Sequence, residues 1–268
     1  MIARPLRRAR ASGFSILGAA MGFALAAAPC PHAQAEPEPT PDENREDWPP
    51  PMEPMLFHFA QVDQLEWRAN DGHDLFRWDL HGWWGSDENK LWLKSEGDAR
   101  TSRPSGGDAE IQLLYGRMIS DFWDLQLGVR EDFLYGAGSD HERTLAVLGL
   151  DGLAPYWFEL EPALFVSDDG DFSARLTALY ELRVTRRLVA QPRLEVNVAA
   201  NNARKFGVRR GFNDVELGLR LRYEWFRAGA PYVGVNWLRV LGNTADLARD
   251  HGDDIDALGF VAGIRFQF

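Results

Sequence analysis

The sequence predicts an all-β protein, a transmembrane antiparallel up-and-down β-barrel of about twelve strands behind a disordered N-terminal tail. Three observations predict it. Long segments alternate strictly between apolar and polar residues. These segments are about nine to twelve residues long, the length a tilted strand needs to cross a bilayer, where soluble strands average about five or six. The clearly long connections between them all fall on one side.

The first 35 residues stand apart from the barrel. Arg4, Arg7, Arg8 and Arg10 precede an apolar run from about Phe14 to Ala28, and Ala33-Gln34-Ala35 supplies small residues two apart. That order reads as a secretory signal cleaved after Ala35. Its loss removes four arginines and no acids, taking the formal charge from −11 to −15. Cys30, the one cysteine, leaves with it, so no disulfide can staple the mature chain. The acidic balance excludes nucleic acid as a partner and favours cations. Residues 36–54 hold seven prolines and seven acids and read as a disordered tail.

Residues 55–268 read as the barrel. Candidate strands run over about 56–67, 74–84, 90–97, 109–119, 122–133, 143–153, 156–167, 171–184, 188–200, 212–225, 230–242 and 256–268, the first and sixth with weak alternation. In the tenth, Val215, Leu217, Leu219, Leu221, Tyr223 and Trp225 alternate with Glu216, Gly218, Arg220, Arg222 and Glu224. Similar alternation marks 123–130, 172–183 and 188–198. With the N-terminus periplasmic, the periplasmic turns are short and the long connections, 98–108, 201–211 and 243–255, are extracellular. The last strand ends in Phe266 and Phe268, as outer-membrane barrels do. Trp83, Trp84, Trp123, Tyr156, Trp157, Tyr223 and Trp225 suit interfacial girdles.

The polar faces would line the lumen with charges of both signs, among them Glu110, Asp124, Arg130, Glu161, Arg175, Arg193, Glu195, Glu216, Arg220, Arg222 and Arg265. A packed ion-pair network and an open channel are both available to such a face. No catalytic motif stands out, and the chain reads as a non-enzyme. Metal ligation has several candidates. His73 lies beside Asp71 and Asp74, His141 beside Asp140, and His251 beside Asp253 and Asp254, all in expected extracellular loops. Asp79 and His81 share the polar face of the second strand. Met52 and Met55 in or next to the tail and Met118 on a lumen face offer soft thioethers. Imidazole with carboxylate suits Cu²⁺, and thioether suits Cu⁺.

Several ordered motifs carry a family resemblance. They include Gly82-Trp83-Trp84-Gly85, Lys90-Leu91-Trp92-Leu93-Lys94-Ser95-Glu96-Gly97, Gly149-Leu150-Asp151-Gly152-Leu153-Ala154-Pro155-Tyr156, Gln191-Pro192-Arg193-Leu194-Glu195 and Ala230-Pro231-Tyr232-Val233-Gly234-Val235. Over about 55–268 the chain resembles the bacterial copper resistance protein B family. The resemblance implies an outer-membrane barrel that binds copper, limits its entry or aids its removal. Outer-membrane lipid, copper ions and periplasmic copper-resistance proteins would be its partners. The alternative is a porin-like solute channel with a charged lumen. Members of the family often carry a methionine- and histidine-rich stretch before the barrel, where this chain has Met52 and Met55 alone.

Overall fold

In the computed structural model the described residues are 55–70, 74–101, 106–136, 141–226, 228–251 and 254–268. The signal and tail expected over 1–54 lie outside them, as do Met52, His73 and Asp253.

The strands are β1 (Phe57–Asn70), β2 (Leu75–Gly85), β3 (Asn89–Arg100), β4 (Gly106–Ser120), β5 (Trp123–Gly136), β6 (His141–Ala154), β7 (Phe158–Ser167), β8 (Phe172–Tyr180), β9 (Leu182–Arg183), β10 (Leu188–Ala199), β11 (Gly211–Tyr223), β12 (Gly229–Val240) and β13 (Asp256–Gln267). The two-residue β9 continues β8 past a break at Glu181, and both pair with β10. The barrel therefore has twelve staves. Each pairs antiparallel with its neighbour in sequence, and β13 returns to β1 to close the ring. Closure leaves no free edge, which a bilayer demands because hydrocarbon offers no hydrogen bonds to an unpaired strand. Among the described residues no helix is long and apolar enough to cross a membrane.

Alternation decides which side chains meet lipid. Leu113, Leu127, Leu148, Leu164, Leu219 and Val233 point outward and are exposed. Their strand neighbours Gln112, Gln126, Val147, Phe165, Arg220 and Tyr232 are buried inside. Two strands with weak sequence alternation have structural reasons for it. In β1 a bulge between Val62 and Gln64 inserts Asp63, so the inward set shifts from Gln61 to Gln64, Glu66 and Arg68. In β6 the inner face is itself apolar. Leu145 and Val147 pack with Trp92, Leu114 and Phe165 in a small cluster inside the barrel.

The girdle expectation needs one correction. Trp84, Tyr156, Trp157, Tyr223 and Trp225 are exposed as expected. Trp83 shares the inward parity of Asp79 and His81, and with Trp123 it lines the lumen. Tyr156 and Trp157 sit in a turn with φ of 69° and 67°, the left-handed region that side chains seldom adopt.

The loops also differ from expectation. Strand pairing continues to Ala99↔Gly107, shortening the connection expected over 98–108. The connection expected over 243–255 contains a helix, α1 (Gly242–His251). The Thr244 hydroxyl accepts from the Arg209 backbone N–H at 3.0 Å, and Asn243 donates to the Arg210 carbonyl at 3.0 Å. The helix thereby pins the β10–β11 connection at the mouth opposite the chain termini. There Phe206 lies under the Arg143 guanidinium at 4.2 Å.

Candidate functional site

The lumen has a wider chamber at each end and a tight middle. The chamber at the loop end is about 310 Å³ and that at the termini end about 440 Å³. The cavity between them is only about 70 Å³.

Ion pairs, several of them between non-adjacent staves, fill the middle. Glu66 is 0% exposed. It accepts from Arg68 at 2.7 Å, from Arg220 at 2.8 Å and from the Tyr232 hydroxyl at 2.9 Å. Arg68 also reaches Glu216 at 3.0 Å, so β1 and β11 are tied across the two staves between them. Arg175 on β8 takes Glu110 of β4 with both terminal nitrogens, at 3.0 and 2.9 Å, and Glu96 of β3 at 3.2 Å. Arg77 pairs with Glu96 and with Asp98. Arg193 holds Glu195 at 2.8 Å and comes within 4.0 Å of Asp79. Arginine suits these positions because its planar fork meets carboxylates two at a time.

The termini-end chamber is strongly acidic. Asp63, Asp121, Asp124, Asp151, Glu159, Glu161 and Glu181 line it against Lys90 and Arg265. Arg265 pairs with Asp63 at 3.0 Å and with Glu181 at 2.7 Å. His81 and Met118 line the same chamber. His81 shares the lumen wall with Asp151 and Glu161, and its ring lies between those of Phe59 and Trp92, 5.9 and 6.2 Å away.

The expected metal residues thus fall into separate places. Asp79 and His81 are in the lumen as their strand parity requires, and Met118 joins His81 in one chamber. Met55 is exposed ahead of β1. His141 begins β6 at the opposite mouth, its ring 6.1 Å from that of Phe206, and His251 ends α1. Among the described residues no three His, Cys, Asp or Glu side chains converge on one metal position. Lys94, Asp151, Glu66 and Arg68 were missing from the sequence reading of the lumen. The first had a signal: Lys90, Trp92 and Lys94 share one face between the apolar Leu91 and Leu93.

Residues 56–268 match the family described as copper resistance protein B precursor (CopB). The chain belongs to the copper resistance protein B family. It is 42% identical over 211 residues to the copper resistance protein B of Escherichia coli, a match covering 79% of this chain and 69% of that protein. It is 42% identical over 208 residues to a copper resistance protein B homolog of Pseudomonas syringae pv. tomato, covering 77% and 68%. Among solved structures the NanC porin matches with a TM-score of 0.53 and 14% identity, over 78% of this chain and all of that one. That likeness concerns the fold. This copper resistance protein B family member is an outer-membrane β-barrel, closed and belted with apolar side chains.

Proposed function

We propose that the protein serves copper resistance at the outer membrane by holding copper in the termini-end chamber of its barrel and limiting its free passage. The carrying observation is that acidic chamber, with His81 and Met118 on its wall, ending against a middle that ion pairs fill. Seven carboxylates against the four cations that pair with them, Lys90, Lys94, Arg222 and Arg265, leave the chamber net acidic and attract a metal cation, and imidazole and thioether offer ligands for Cu²⁺ and Cu⁺ respectively. Chain termini and short turns face the periplasm in barrels of this kind, so the chamber opens towards periplasmic copper and the proteins that carry it. The copper-resistance names of the two relatives support the same reading. Binding, not turnover, is the activity proposed. A freely conducting solute channel is disfavoured by the 70 Å³ middle.

The test is titration of the refolded barrel with Cu²⁺ and Cu⁺, beside His81→Ala and Met118→Ala. Each variant is expected to weaken copper binding by about tenfold per lost ligand, with His81 mattering more for Cu²⁺ and Met118 more for Cu⁺. Binding no tighter than that of an acidic peptide of the same charge would end the proposal.

A further inference from the structure

We propose that Lys90 and Lys94 are built-in occupants of a cation path, each ammonium filling a cage that a mobile cation takes when the lysine swings out. The two lie four residues apart on the inner face of β3. Lys90 Nζ is 2.5 Å from Asp124 Oδ2 and 5.4 Å from the centroid of Trp83. Lys94 Nζ is 2.7 Å from Glu161 Oε2, 3.3 Å from Asp151 Oδ2 and 5.3 Å from the centroid of Trp92. The same arrangement thus occurs twice: a lysine of β3, carboxylate from another strand and an indole face, which attracts cations through its quadrupole. Lys90 lines the wide chamber and Lys94 the tight middle, so the two cages step inward.

The choice of residue is the second observation. The sequence contains only three lysines, Lys90, Lys94 and Lys205, among 29 basic residues. Elsewhere in the lumen the cations described above are arginines. An arginine fork locks onto carboxylates, whereas a lysine is a compact charge on a flexible stem. The carboxylates and indoles belong to the barrel wall and stay when the ammonium leaves. What remains is an acidic site whose carboxylates an incoming small cation neutralises in the ammonium's place. The proposal rests on the copper reading only for the identity of the cation that arrives.

The test is ion current through the full-length mature barrel in planar bilayers under a potassium chloride gradient. The unmodified protein is expected to pass little current. Lys94→Ala is expected to raise it about tenfold or more, with cation selectivity, because the acidic cage is left empty. Added propylammonium should block that current by refilling the cage, and propanol should not. Lys94→Arg should resemble the unmodified protein. If Lys94→Ala fails to insert, Lys90→Ala in the wider chamber is read instead by calorimetry, where propylammonium is expected to bind its emptied cage and propanol is not. Variants that stay silent, select anions or ignore propylammonium would overturn the proposal. Failure of the unmodified protein to bind copper would defeat the copper reading and leave this result standing.

Discussion

Glu66 shows how costly a single lumen change can be. Its carboxylate is fully buried and holds two guanidiniums and a tyrosine hydroxyl. Burying a charge is tolerable only when partners replace the lost water. Glu66→Gln would leave Arg68 and Arg220 short of counter-charge, and it is expected to destabilise the folded barrel by about 3–5 kcal/mol, read from urea unfolding in lipid vesicles. Arg183, paired with Glu224 at the exposed rim, is the control. Arg183→Gln should cost about 1 kcal/mol or less, because solvent already screens the pair. The sequence announces Arg220 and Glu216 as lumen residues through their alternation with leucines. It hides Glu66 and Arg68, because the bulge at Asp63 reverses the inward parity halfway along β1. A period of two cannot reveal where it will be broken.

At the scale of the element, most strands were legible because each has one face for hydrocarbon and one for charge. β6 was less so, since Leu145 and Val147 point into the barrel while Leu148 points out. The two leucines separate the roles experimentally. Leu148→Arg places a charge in lipid near mid-strand and is expected to cost about 2–4 kcal/mol in vesicle unfolding. The loss should shrink when the same charge is placed near the strand end. The connections were least legible. The hold of helix α1 on the β10–β11 connection rests on Thr244, whose hydroxyl accepts from the Arg209 N–H and donates to the Arg209 carbonyl, and on Asn243, which donates to the Arg210 carbonyl. Thr244→Ala should leave the barrel intact and make the Asn201–Arg210 stretch cut sooner by an added protease, a change visible by mass spectrometry. Equal cleavage in both proteins would show that the helix does not restrain that segment.

For the whole molecule, two demands act together. Lipid requires a closed ring with an apolar outside, and a ring of twelve staves encloses a space that must then be filled or left wet. This chain fills the middle with arginine–carboxylate pairs and leaves acidic room at the termini end. The barrel and the charged lumen could be read from the sequence. The chamber could not, because its wall is drawn from strands far apart in the sequence, from Asp63 of β1 to Arg265 of β13, which come together only when the ring closes. Copper is predicted to rest there. The most direct measurement is anomalous diffraction at the copper edge from crystals of the protein grown with copper. The account predicts a peak inside the termini-end chamber, within ligand distance of His81 or Met118. Copper found only on the outer loops, or nowhere on the protein, would contradict it.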